Sequence, residues 1–103
     1  MHDVLSGVRV VEVAAWTFVP AAGAVLADWG ADVIKIEHPE QGDPQRALMA
    51  AGFAPVSSVN FMIEIPNRGK RSVGLDLNAD RGRELLYKMV ANADVFLTNF
   101  LPA

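Results

Sequence analysis

The residues best suited to chemistry gather between Asn67 and Gly74, where Arg68, Lys70 and Arg71 surround Gly69 ahead of an apolar run that stops at Asn78. This stretch reads as a basic loop that enters a buried strand and leaves through a turn into a helix. Guanidinium donors beside free backbone N–H groups suit an anion such as a phosphate. The competing reading is a solvated loop whose cations pair with nearby carboxylates. Both stay open on the sequence alone.

Other candidates are sparse. The two histidines, His2 and His38, stand far apart with neither triad nor metal spacing. His2 reads as a frayed terminal residue, and His38 as either a loop histidine or a phosphate or adenine contact. Asp43 and Arg46 lie one helical turn apart, so Asp43 is expected to cap a short helix while pairing with Arg46. Trp16 and Phe18 suit the wall of a ligand cleft or aromatic core packing equally. Asp28 and Asp32 flank a helix end and a strand start and read as solvated. No two carboxylates have a spacing that argues for shared acid–base work.

Composition narrows the classes. A net charge of −3 argues against general nucleic-acid binding. With no cysteine there is neither a disulfide framework nor a thiolate metal site, and no metal is expected. The apolar fraction, 51%, is high for a small domain, which points to faces meant for burial against something else. No apolar run approaches the roughly 18 residues of a membrane span, and the N-terminus lacks the pattern of a secretion signal. A cytoplasmic protein without membrane contact is the resulting expectation.

These residues must be held by regular elements. Val8, Val10, Val11 and Val13, interrupted only by Arg9 and Glu12, make a strand over residues 8–13. Residues 14–19 form a loop, Pro20 opens a helix of small residues, and Gly30 stops it. Residues 32–37 form a second strand, giving a βαβ unit with parallel strands. A turn-rich loop over 38–44, a possible short helix over 46–52 and another through Val59-Asn60-Phe61-Met62, ended by Pro66, follow. Residues 71–77 make a third strand, and Asn78 caps a helix through Ala91 that buries Leu85, Leu86, Met89 and Val90, with Glu84 and Lys88 as an i, i+4 pair. Residues 94–98 make a fourth strand. The fold class is therefore α/β with a Rossmann-like parallel sheet. Since parallel strands need helices on both faces, the sheet reads as unfinished, an N-terminal portion of a larger domain with an edge or face uncovered.

In open α/β sheets, ligands sit outside the carboxyl ends of the strands. Four loops converge there: 14–19, 37–39, 75–78 and 99–101. A nicotinamide or flavin dinucleotide domain is the first comparison, because Glu37 ends the second strand where such domains place a ribose-binding acid. The first loop, Ala14-Ala15-Trp16-Thr17-Phe18-Val19-Pro20, has no G-x-G-x-x-G, and without glycines the backbone cannot approach a pyrophosphate closely.

Leu5-Ser6-Gly7-Val8-Arg9-Val10-Val11-Glu12-Val13 resembles the opening of the family III, formyl-CoA transferase-like, CoA-transferases. Residues 26–37, Gly42-Asp43 with Arg46, residues 67–77, and Ala93-Asp94-Val95 with Asn99-Phe100 and Pro102 fit the same family in order and spacing. This family, also called the L-carnitine dehydratase/bile-acid-inducible protein F family, includes α-methylacyl-CoA racemases. The resemblance implies that residues 1–103 are the N-terminal part of a CoA-binding large domain, whose full-length chains interlock as rings in a homodimer. It implies contacts to the CoA nucleotide at His38, along Gly74, Leu75, Asp76, Leu77 and Asn78, and near Asn99, Phe100 and Leu101. Thr17 and Phe18 match a loop near the thioester end.

Some positions depart from the family. Many members carry arginine at His38 and lysine at Asn78, so phosphate recognition here has fewer cations and, through His38, a pH dependence. Phe18-Val19-Pro20 stands for the usual Ala-Gly-Pro and makes that loop bulkier, and Pro102-Ala103 stands for Pro-Gly. The family's transferases use an aspartate that forms acyl-anhydride and thioester intermediates, and its racemases a histidine–acid pair. Both sets are expected beyond Ala103, so no catalytic residue is assigned and the isolated chain is expected to be inactive. The implied substrates are an acyl-CoA and a carboxylic acid. The implied activity is CoA transfer, with racemisation, a non-catalytic CoA- or nucleotide-binding fragment and a dinucleotide oxidoreductase as alternatives.

Overall fold

A computed structural model describes residues 3–52 and 57–102; His2 and Ala103 lie outside them. Four strands, β1 (Arg9–Val13), β2 (Asp32–Glu37), β3 (Arg71–Gly74) and β4 (Val95–Thr98), form one sheet in the order β3-β2-β1-β4. Every pairing is parallel, with Glu12 opposite Lys35, Val11 opposite Phe96 and Ile36 opposite Val73. The two runs dense in valine and isoleucine take the centre, where both faces are covered. β1 is buried from Val10 to Val13.

The helices α1 (Phe18–Asp28), α2 (Phe61–Asn67) and α3 (Asp80–Ala91) fill the crossovers. Val10, Ala31 and Val33 pack with Leu26 and Ala27 on the α1 face. Val11, Val13 and Ile36 pack with Leu86, Met89 and Val90 on the α3 face. α1 begins two residues before Pro20, which still falls in the first turn, where a missing N–H leaves nothing unpaired. Gly30, at φ 103°, turns the chain back toward β2 in a conformation that a side chain would oppose.

Five expectations are corrected. Pro66 lies inside α2 and does not end it. Proline at that position leaves the Met62 carbonyl without its helical donor, and Gln45 Nε2 takes that place at 3.0 Å. α3 starts at Asp80 with Ala79 as its cap and not Asn78, whose N–H is held by Asp76 Oδ1 at 3.0 Å in the turn before the helix. The same turn ends β3 at Gly74, short of Leu77. The segment after Asp43 is a 3-10 turn over Pro44–Ala47, and Glu84 pairs with Arg81 instead of Lys88.

On β4, at the sheet edge, Val95 and Phe96 are 38% and 47% exposed, so cover is incomplete there. Among the described residues, no helix is long and apolar enough to cross a membrane.

The turn into α3 depends on Gly82. A Cβ added there would stand 1.9 Å from the Asp76 carbonyl oxygen, a backbone atom that cannot swing aside. Gly82→Ala is therefore expected to destabilise the protein by about 1–3 kcal/mol despite alanine's better helix propensity. Urea unfolding measures this, and a neutral or stabilising result would contradict the close approach.

Candidate functional site at the carboxyl edge of the sheet

The loops at the carboxyl ends of the strands enclose a concavity of about 180 Å³. His38, Leu75, Leu77, Asn78 and Phe100 line it together with Val13, Ile36 and Glu37. It opens on the α3 side of the sheet, the side of Val13 and Ile36. Five of the residues expected to contact CoA thus meet at one place. Gly74, Asp76, Asn99, Leu101, Thr17 and Phe18 do not line it.

Each of these six has a visible occupation or position. Gly74 packs against Pro39, whose Cα would stand 3.2 Å from an added Cβ. Asp76 makes the turn already described. Asn99 clasps Ala15 from both sides, accepting from its N–H at 3.1 Å and donating to its carbonyl at 2.7 Å. That clasp closes the gap between β1 and β4, where the sheet order reverses. Thr17 Oγ1 accepts from Gln45 Nε2 at 3.0 Å. Phe18 and Leu101 are each 90% exposed. Trp16 and Phe18 therefore do not serve as aromatic core.

His38 has a defined tautomer. Its Nδ1 accepts the backbone N–H groups of Glu40 and Gln41, each at 3.2 Å, which leaves the ring proton on Nε2 as a donor. Glu37 is already engaged. Arg46 holds its carboxylate in a two-pronged pair, with Nη2 2.9 Å from Oε1 and 3.0 Å from Oε2. The acid that a dinucleotide domain would use for ribose is thus occupied, and Arg46 pairs with Glu37 and not with Asp43.

Asp43 does cap the 3-10 turn, accepting from Gln45 N at 2.9 Å. Its second oxygen lies 2.8 Å from Lys35 Nζ in the protein interior. There the sequence reading missed a buried network. Lys35 Nζ also contacts Glu12 Oε2 at 3.2 Å and the Ala14 carbonyl at 3.1 Å. Lys70 Nζ reaches Glu12 from the other side at 2.8 Å and touches Pro20 O, Pro66 O and Asn67 Oδ1 within 3.0 Å. All four charged groups are buried, and two cations balance two carboxylates. Glu12 Oε1 and Asp43 Oδ2 have ammonium neighbours at ion-pair distance without hydrogen-bond alignment, so charge holds them where geometry does not. The available signal was a glutamate and a lysine inside two strands that parallel packing must bury on both faces.

The basic stretch is spent on structure. Lys70 joins this network, Arg68 pairs with Asp28 at 2.7 Å and Arg71 with Asp32 at 2.7 Å. Asp28 and Asp32 are accordingly ion-paired. Two of the three pairs are exposed, and β3 leads away from this loop toward the carboxyl edge, so the carboxylate-pairing reading of residues 67–71 prevails. A larger space of about 440 Å³ lies between α3 and the sheet, lined mainly by Val11, Ile34, Val73, Leu85 and Met89. It is an interlayer gap with few polar groups. Among the described residues, no cluster of three or more histidine, cysteine or carboxylate side chains could hold a metal.

Residues 5–103 match the sequence pattern of CoA-transferase family III. The chain belongs to this family. It is 40% identical over 99 residues to the cinnamoyl-CoA:phenyllactate CoA-transferase of Clostridium sporogenes, covering 95% of this chain and 24% of that one. The succinate–glutarate CoA-transferase of Agrobacterium fabrum is 44% identical over 101 residues, covering 93% and 25% respectively. A CaiB/BaiF family protein from Brucella suis of known crystal structure superposes with a TM-score of 0.82 at 39% identity, covering 97% of this chain and 26% of that one. The family III chain described here therefore spans about a quarter of the length of these relatives. The Rossmann-like parallel sheet expected from the sequence is the fold of this structural neighbour.

The buried charges are energetically coupled. Glu12→Gln leaves two ammonium groups facing one carboxylate and is expected to cost about 3–5 kcal/mol in urea unfolding. Combining it with Lys70→Met rebalances the charge, so the double variant should be less destabilised than the sum of the single variants. Burial lowers the Lys70 pKa from 10.5, and Glu12 opposes that shift. The folded site then releases its proton below the pH at which the unfolded chain does. Between the two values the unfolded state holds more protons, so the Lys70 contribution makes stability rise with pH. The stability difference between wild type and Lys70→Met should increase as pH approaches 10.5.

Proposed function

We propose that the protein is an acyl-CoA:carboxylate CoA-transferase and that this chain is the N-terminal part of its CoA-binding large domain. The observation that carries the reading is the concavity at the carboxyl ends of β1 to β3, where His38, Leu75, Leu77, Asn78 and Phe100 meet in a family III sheet. Apolar walls with a few directed donors suit an adenine and its phosphates. His38 Nε2–H is such a donor, and the Asn78 side chain supplies a further polar group beside the stretch from Gly74 to Asn78. Asn99, Phe100 and Leu101 complete the nucleotide side. Thr17 and Phe18 face the thioester end.

Both named relatives above are CoA-transferases, which favours transfer over racemisation. The substrates are an acyl-CoA and a free carboxylic acid, in a full-length interlocked homodimer in the cytoplasm. The nucleophile that receives the acyl group lies outside residues 1–103. The present residues bind and orient CoA.

Calorimetric titration of the protein with CoA, dephospho-CoA and NAD tests this. CoA should bind more tightly than dephospho-CoA, and NAD should give no heat. His38→Ala should weaken CoA about tenfold, the scale of one hydrogen bond to a charged group, and dephospho-CoA by less if His38 meets the 3′-phosphate. Tight NAD binding would overturn the assignment. With turnover assays, loss of α-configuration in a chiral acyl-CoA without CoA exchange would favour racemisation instead.

A further inference from the structure

The loop between β1 and α1 is fixed at every residue by side chains from elsewhere in the chain. Lys35 Nζ holds the Ala14 carbonyl at 3.1 Å, and Asn99 holds both backbone groups of Ala15. Asp43 Oδ1 accepts the Trp16 N–H at 3.1 Å, and Gln45 Nε2 donates to Thr17 Oγ1 at 3.0 Å. Asp43 and Lys35 are in turn joined at 2.8 Å, and Lys35 rests on Glu12. The result is a chain of buried polar contacts that runs from the sheet interior to an exposed loop.

That loop carries Trp16 at φ 71°, the one non-glycine residue at positive φ among the described residues. A bulky side chain opposes this conformation. Burial of the ring does not compensate, because Trp16 is 50% exposed and its neighbour Phe18 is 90% exposed. Two aromatic side chains are thus presented to solvent on a strained turn whose backbone is held by Lys35, Asn99 and Asp43 and whose Thr17 hydroxyl is held by Gln45. The loop stands at the carboxyl end of β1, on the ligand side of an open sheet.

We propose that Trp16 is a specificity-determining residue that packs against the acyl group of the bound thioester and selects aryl or other bulky apolar acyl groups. Asp43 acts as its positioning residue through the Trp16 N–H, with Lys35 and Gln45 fixing the flanking carbonyl and hydroxyl. This rests on reading the carboxyl edge as an acyl-CoA site. A rigid ring that is already in place binds without the entropy loss of ordering a mobile loop.

The test measures dissociation constants of benzoyl-CoA, acetyl-CoA and CoA for the full-length protein, its Trp16→Gly and Asp43→Asn variants and the double variant, with thermal unfolding of each. Glycine adopts φ 71° freely, so Trp16→Gly should unfold no earlier than wild type. It should reduce the preference for benzoyl-CoA over acetyl-CoA by about three- to tenfold, the range of a lost aromatic contact, and leave CoA itself unchanged. Asp43→Asn should lower the unfolding temperature and reduce the same preference, and the double variant should lose no more preference than Trp16→Gly alone. A merely structural Asp43 would lower stability without touching the preference. An unchanged preference in Trp16→Gly with CoA binding intact would overturn the inference alone. Absence of CoA and acyl-CoA binding in the wild-type protein would overturn it together with the functional assignment beneath it.

Discussion

Everything else in this fold accommodates a lysine and a glutamate that face each other across two central strands. Glu12 and Lys35 are register partners on the covered side of a parallel sheet, with 0% and 2% of their surface exposed. Charges of this kind cannot be left unpaired in the interior without a cost of several kcal/mol. Their environment is built accordingly. α1 carries Gly23 above Glu12, since a Cβ there would lie 2.0 Å from Glu12 Oε1. Lys70 comes in from the loop before β3, and Asp43 from the loop after β2, so the pair becomes a neutral group of four.

This arrangement couples the two ends of the sheet. Lys70 ties the entry to β3 against the start of α1 through the Pro20 carbonyl, and it also meets the Pro66 carbonyl at the end of α2. Asp43 and Lys35 carry the same network to the loop after β1. An apolar replacement of similar volume could fill the space, and buried ion pairs are often no more stabilising than such a replacement. What hydrocarbon cannot supply is direction. Both ammonium groups and Asp43 fix particular backbone groups, and of these the Ala14 carbonyl and the Trp16 N–H belong to the loop after β1, at the edge where α/β sheets bind ligands.

Much of the fold was legible because its signals are local. Valine and isoleucine density over residues 32–37 marks β2, Gly30 marks the end of the first helix region, and strand–helix–strand spacing makes the sheet parallel. The misreadings arose where a distant residue changes a local rule. Pro66 is tolerated inside α2 because Gln45 supplies the donor that proline removed. Asn78 lies in a turn built on Asp76 and the helix starts two residues later, with Ala79 as its cap. The partners of Arg68, Lys70 and Arg71 depend on which aspartates and glutamate the folded sheet brings near. At the candidate site, strand ends and family resemblance together named five lining residues. Spacing carried no sign that Glu37 would be engaged by Arg46, nor that Asp43 would serve Lys35.

The disposition of charge constrains how this edge can recognise an anion. The three cations of residues 68–71 answer carboxylates within the fold, and Arg46 answers Glu37. The concavity itself is lined by one imidazole, one carboxamide, the Arg46-paired Glu37 and five apolar residues. Phosphate recognition of the kind proposed above would rest on directed hydrogen bonds from His38 Nε2–H and the Asn78 side chain more than on net positive charge. Hydrogen bonds to a charged acceptor are individually strong but short in range, whereas unpaired cations attract over a Debye length of about 8–10 Å. Anion binding of the kind proposed above would therefore depend on fit more than on long-range attraction.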